Sequence, residues 1–249
     1  MDEGADPAKS PKRGTGGWRA GLIAGLVGLI VGAGGVAGWH FWAQPGRGET
    51  EAIVRDYILT HGEILPEAME RLRARETAQV IRQNRAAFER PFADAWAGAA
   101  DGDVVLVEFF DYACVYCRAS NPHVARLLAE DPRLKVVWRE YPVLGPDSQQ
   151  AALSSLAAAQ AGRFRQFHDR LFATARPTPD AVAAARSAVG IQAPEFTDAY
   201  RRELQGNFEL ARAIGASGTP TFVVGDRMLQ GAVGYEALKE AIQAARART

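Results

Sequence analysis

The chain has 249 residues, 47% of them hydrophobic and 23% charged, with Lys plus Arg equal in number to Asp plus Glu. That composition supports one good-sized core with an appendage and excludes a disordered chain. Without an excess of positive charge there is no electrostatic footprint for a phosphate backbone, so no nucleic-acid partner is expected.

Residues 1–19 carry Lys9, Lys12, Arg13 and Arg19, and an uncharged apolar run follows over residues 20–41. The run is long enough to cross a bilayer as a helix. Its basic flank orients residues 1–19 as a cytoplasmic tail and sends the remaining two hundred residues across the membrane. A cleaved signal peptide has the same basic-then-apolar layout. A single uncleaved anchor over residues 20–42 is the preferred reading, because the run exceeds a typical signal-peptide core and no A-x-A site follows. Gly21, Gly25, Gly28, Gly32 and Gly35 share one face of this helix. Such a stripe allows two helices to approach closely, although Gly is also common in membrane helices at large.

Pro45, Gly46 and Gly48 break the chain over residues 44–49. Thr50 reads as the N-cap of a helix carrying Ile53, Tyr57 and Ile58, with His61-Gly62 as its end. Pro66 suits the first turn of a second helix, running through Met69, Leu72, Val80, Ile81 and Phe88 to a stop near Pro91. The apolar face of this 50–95 segment is thin and its Arg and Glu content high, as in a solvated arm or one half of an oligomer contact. The pattern changes at Gly102. Residues 104–110 form a near-continuous apolar run, expected as a buried central strand, and residues 134–141 a second strand between Pro132 and Pro142. Residues 147–213 are helical in pattern, with breaks at Gly162, Pro177 and 190–194. Two short alternating runs, 221–224 and 227–230, flank Gly225-Asp226 as a hairpin, and a last helix starts at Tyr235. The order is that of an α/β domain over residues 102–249: strand, helix, strand, helical block, strand, strand, helix.

The two cysteines, Cys114 and Cys117, are the only ones in the chain. A disulfide between them would close too short a loop to add much stability. A tetrahedral zinc site needs four Cys or His ligands, and no second pair or ligand cluster accompanies this one, so no metal and no cofactor are expected. Redox chemistry remains. The pair sits where a strand gives way to a helix, so Cys114 occupies a helix N-terminus whose unpaired N–H groups favour a thiolate. Cys117, one turn into the helix, is placed to resolve a mixed disulfide formed on Cys114.

The stretch Val107-Glu108-Phe109-Phe110-Asp111-Tyr112-Ala113-Cys114-Val115-Tyr116-Cys117 resembles the active-site strand and helix of DsbA-like thioredoxin-fold proteins. Pro122 matches the kinking proline of that helix, and the resemblance continues through Arg139-Glu140-Tyr141-Pro142-Val143-Leu144-Gly145-Pro146-Asp147-Ser148, Phe167-His168-Asp169 and Gly218-Thr219-Pro220-Thr221-Phe222. It implies a thioredoxin fold with a DsbA-like helical insertion at about 147–213. Upstream, Val54-Arg55-Asp56-Tyr57-Ile58-Leu59 and Ile64-Leu65-Pro66-Glu67-Ala68 resemble the N-terminal segment of the ScsC-like branch, which implies oligomerisation through residues 50–95.

The resemblance also gives meaning to single positions. Thr219-Pro220 matches the cis-proline element that faces the cysteines and pairs with an extended substrate. Glu108 alternates with apolar neighbours and reads either as a buried acid that shuttles the Cys117 proton or as a strand-edge acid paired with a surface base. His123 lies too far along the helix to reach Cys114, and His168 reads as a structural hydrogen-bonding residue. The implied activity is protein thiol-disulfide exchange, as oxidase or isomerase, on cysteine-containing exported proteins. The catalytic domain is then periplasmic, anchored in the inner membrane and served by a DsbB-like or DsbD-like membrane redox partner. A membrane-held chaperone or metal-stress binding module with a regulatory disulfide is the alternative. Val115-Tyr116 lacks the proline-histidine pair of the strongest oxidants, which leaves the direction of exchange open.

Overall fold

A computed structural model describes residues 46–248, which fall into two compact units divided after Pro66. The expected tail at 1–19 and anchor at 20–42 lie outside the described residues, and among the described residues no helix is long and apolar enough to cross a membrane.

The first unit holds helix α1, Arg47–Thr60, ended at His61 as the sequence suggests; the His61 ring stacks on Tyr57 at 4.4 Å. Its start differs from expectation. Gly46 rather than Thr50 is the N-cap, and the Gly46 carbonyl accepts the N–H groups of Glu49 and Thr50, placing Thr50 inside the helix. Helix α2 spans Ile64–Gln83, with Pro66 in its first turn where a missing N–H costs nothing.

In the second unit the single helix expected to run to Pro91 is two. Asn84 breaks it: its φ is −115° and its side-chain amide donates to the Val80 carbonyl at 2.9 Å, after which α3 covers Arg85–Glu89. A five-stranded sheet follows, in the order β1-β3-β2-β4-β5. β2 (Val104–Phe110) and β3 (Leu134–Glu140) are parallel and joined through helix α4 (Val115–Glu130). β4 (Thr221–Val224) runs antiparallel to β2, and β5 (Arg227–Gln230) antiparallel to β4 across the expected Gly225-Asp226 turn. β1 (Trp96–Gly98) was not legible; three residues beside alanines and glycines carry no period-2 signal, and only its pairing with β3 makes it a strand.

Between β3 and β4 lies the helical insertion, α5 (Pro146–Gln160), α6 (Phe164–Phe172), α7 (Pro179–Ala188) and α8 (Asp198–Ala213); α9 (Gly234–Arg246) closes the chain. Alternation along β2 sends Leu106, Glu108 and Phe110 to one face and Val107 and Phe109 to the other. The first face forms the larger core with α4, α9 and the insertion helices α5 to α7. The second is covered by Ile81, Phe88, Ala211 and Ile214. The end of the segment expected as an arm therefore contributes core residues. Buried Arg139 joins these pieces, donating to the carbonyls of Ala87, Phe88 and Arg90 at the end of α3 and to Asn207 and Glu203 of α8.

Candidate active site

Central strand β2 ends at Phe110, and the turn of residues 111–113 delivers Cys114 to the N-cap of α4. Asp111 builds this turn. Its carbonyl accepts the Cys114 N–H at 3.0 Å and its carboxylate the Ala113 N–H at 2.8 Å. Cys114 keeps an extended backbone, φ −79° and ψ 117°, so its sulfur lies over the helix end and accepts the Cys117 N–H at 3.4 Å. Pro122 sits within α4 without ending it.

The two sulfurs have opposite environments, although both cysteines are free thiols. Cys114 is 5% exposed and Cys117 fully covered. The Cys114 pKa is lowered to about 5, first by the hydrogen bond from the Cys117 side chain; the Thr219 side chain and the N–H groups of Cys117 and Tyr116 add to this against the opposing effect of burial. The Cys117 thiol is pushed far up, first by burial, then by its hydrogen bond to Cys114 and by the charge of Glu108. At neutral pH the pair therefore holds one thiolate and one thiol.

Glu108 is buried and does not stand at a strand edge. It lies in the middle of β2, between Trp138 of β3 and Phe222 of β4, and is fully covered. The Trp138 indole N–H donates to one carboxylate oxygen at 3.1 Å, and the other oxygen has no partner. Burial raises its pKa to about 8, offset by the Trp138 hydrogen bond and reinforced by the Cys114 charge. Trp138 was not singled out from sequence; the parallel β2–β3 register alone reveals it, by setting residue 138 beside residue 108.

The Thr219-Pro220 peptide is cis, as the resemblance implies. The Thr219 carbonyl is 3.2 Å from the Cys114 sulfur and accepts from the thiol form. The structure thus brings Cys114, Cys117, Glu108, Thr219 and Pro220 to one place. Neither His123 nor His168 is hydrogen-bonded to Cys114 or Cys117. His123 is half-buried six residues beyond Cys117. His168 is buried among Phe110, Trp138, Phe164 and Phe172, with its Nδ1 3.4 Å from the Tyr112 hydroxyl, and burial followed by the Arg165 charge holds its pKa well below the usual imidazole value. Among the described residues no group of three or more His, Cys, Asp or Glu could hold a metal ion.

Residues 105–243 match the family described as the DSBA-like thioredoxin domain. The chain belongs to this family. Within this DSBA-like chain, residues 49–79 also match the copper resistance protein ScsC N-terminal domain. A linker-deletion mutant of ScsC from Proteus mirabilis superposes with a TM-score of 0.69 at 28% identity, covering 83% of this chain and 99% of that one. A thioredoxin-like oxidoreductase from Silicibacter pomeroyi gives 0.62 at 34% identity, over 66% of this chain and 98% of that one. A periplasmic thioredoxin-like protein from Salmonella enterica serovar Typhimurium gives 0.61 at 26%, over 66% and 95%. Among curated proteins, Na(+)/H(+) antiporter NhaA 3 of Salinispora tropica is 33% identical over 169 residues, which is 62% of this chain and 25% of that protein. The DSBA-like chain spans about a quarter of the length of the curated relatives it matches.

Proposed function

We propose that the chain is a protein thiol-disulfide oxidoreductase in which Cys114 is the nucleophile and Cys117 the resolving thiol. The observation that carries the reading is the opposite ionisation of two sulfurs three residues apart, one lowered to about 5 and the other raised far above the ordinary thiol. In the reducing direction the Cys114 thiolate attacks a substrate disulfide, forms a mixed disulfide and releases one substrate thiolate. Cys117 gives its proton to the Glu108 carboxylate and attacks the Cys114 sulfur. The second substrate thiolate leaves, and a Cys114–Cys117 disulfide remains. The reverse sequence oxidises a substrate dithiol, and isomerisation stops at the mixed disulfide and returns. A Glu108 pKa of about 8 suits either direction of proton transfer near neutral pH. Thr219 and Pro220, beside the sulfur, form the substrate-binding edge.

The substrates in this reading are cysteine-containing exported proteins, and the catalytic domain is periplasmic. The basic-then-apolar N-terminal sequence supports an inner-membrane anchor over residues 20–42, with a DsbB-like or DsbD-like membrane protein resetting the cysteines. Self-association through the N-terminal helices is supported by Ile53, Val54, Tyr57 and Leu59, each at least half exposed. The test is trapping. Cys117→Ala should accumulate mixed disulfides with exported proteins, because its nucleophile persists without a resolving thiol, and Cys114→Ala should accumulate none. Absence of trapped protein from both variants would refute the proposal.

A further inference from the structure

A cavity of about 370 Å³ lies between α4 and α6, lined by Arg118 of α4, by Arg165, His168 and Phe172 of α6 and by Trp138 of β3. The thiol chemistry uses only Trp138 among these, through the indole N–H that Glu108 takes up, and leaves its ring to the cavity. The polar groups around this space are not all satisfied. Arg118 donates from Nε to the Phe172 carbonyl at 3.2 Å, which ties α4 to α6, whereas its Nη2 is buried with no partner. A buried guanidinium nitrogen without an acceptor is uncommon, because removing it from water is costly unless an acceptor takes the place of water. His168, only 2% exposed, makes its hydrogen bond through Nδ1 to the Tyr112 hydroxyl, which leaves Nε2 for the cavity. Burial and the Arg165 charge keep this ring neutral. In the tautomer whose Nδ1 accepts from Tyr112, Nε2 carries the ring proton and is a donor. Arg165 stacks on the Trp138 ring at 4.9 Å and pairs with Asp169 at 3.3 Å, so the carboxylate at the rim already has its own cation. Of the charged groups that line the cavity, two cations and one anion, Arg118 is the surplus. The remaining wall is aromatic: the His168 ring stands 5.2 Å from Trp138 and 4.8 Å from Phe172.

We propose that the cavity between α4 and α6 is a binding site for a small aromatic monocarboxylate, with its carboxylate held by Arg118 and by Nε2 of His168 and its ring laid against Trp138 and Phe172. One surplus positive charge suits a monoanion rather than a dianion, and a guanidinium is the donor best shaped for a carboxylate. The aromatic wall suits a flat apolar body. The volume stands at the lower end of small-molecule sites, which run from roughly 300 to 1,000 Å³. The tie from Arg118 to the Phe172 carbonyl accounts for Nε alone and leaves Nη2 unexplained. The site uses neither cysteine, so it does not depend on the oxidoreductase reading.

The test is a calorimetric titration of the full, reduced chain with 3-phenylpropanoate as the probe and its neutral amide, 3-phenylpropanamide, as the control. The carboxylate should bind saturably with a Kd of about 1 mM, the order expected for a ligand of roughly a dozen non-hydrogen atoms. The amide should bind at least about tenfold more weakly, because it forfeits the charge-assisted hydrogen bonds. Arg118→Met keeps the apolar stem and removes the charge, and should bring the carboxylate down to the level of the amide. Ala125→Phe, at an exposed position of α4 that lines the same cavity, should fill the space and abolish binding. Equal affinity for carboxylate and amide would overturn the carboxylate assignment. An affinity unchanged in both variants would place the binding outside this cavity, and no saturation up to about 20 mM would leave the cavity to solvent; either result overturns the site. If Arg118→Met does not fold, the amide comparison decides the charge and Ala125→Phe the place. Disulfide exchange is not the readout, so none of these results bears on the oxidoreductase reading.

Discussion

The largest single stabilisation of the Cys114 thiolate is the hydrogen bond from the neighbouring sulfur, and Cys117→Ala isolates that contribution. With a pKa of about 5, thiolate exceeds thiol at pH 7 by about a hundredfold. A hydrogen bond to a charged group contributes about 1.5–3 kcal/mol and one pKa unit corresponds to about 1.4 kcal/mol, so losing the Cys117 donor raises the Cys114 pKa by about one to two units. It should not return to the free value, because the Cys117 N–H at 3.4 Å survives the substitution, as does that of Tyr116. The linkage sign follows. A folded pKa below the unfolded one stabilises the reduced protein as pH rises above about 5, a contribution that is lost as pH falls back through that value. The measurement is the pH dependence of Cys114 alkylation, or of thiolate absorbance in the ultraviolet, in the reduced protein and the variant. A Cys114 that titrates in Cys117→Ala at the same pH as in the unaltered protein, or lower, would refute the account and assign the thiolate to the helix N-terminus alone.

Other consequences are as direct. Glu108→Gln should slow resolution of the mixed disulfide and remove its pH dependence near 8, measured by single-turnover quenching across pH. Because the folded pKa of Glu108 is raised from 4.5 to about 8, its ionisation opposes folding increasingly over that window; the same substitution should improve relative stability by about 3–5 kcal/mol between pH 4 and pH 9 in denaturant titrations. Arg139→Met should destabilise the domain by about 3–5 kcal/mol, since it leaves the α3 carbonyls and the α8 partners of a buried cation without a donor; a loss under about 1 kcal/mol would show that α3 is held by its other contacts, the burial of Phe88 and the Arg85–Asp226 pair. Removing residues 1–66 should lower the assembly size seen in sedimentation, whereas an unchanged size would place any contact between copies elsewhere.

Much of the site is written in local sequence. Cys114 and Cys117 stand together in a motif, the apolar run before them reads as a buried strand, and the N-cap position of Cys114 follows from a strand meeting a helix. Local spacing fixes such relations because strand and helix periodicities act over a few residues. The fate of Glu108 was not local. An acid among apolar residues reads equally as buried or edge-bound, and the choice fell to its placement in a central strand between Trp138 and Phe222, partners 30 and 114 residues away. Likewise β1 exists only by pairing with β3, and the break at Asn84 turned one expected helix into two, the second held by the Arg139 guanidinium. Asp111 and the Val143-Leu144 loop stand in recognisable stretches of sequence, yet the carboxylate that joins them spans 32 residues of chain. The sequence by itself pointed to the candidate pair and to the main strands and helices that carry it, whereas only the tertiary structure decided which distant groups surround the pair, because burial and hydrogen bonding across strands depend on register and not on neighbours in the chain.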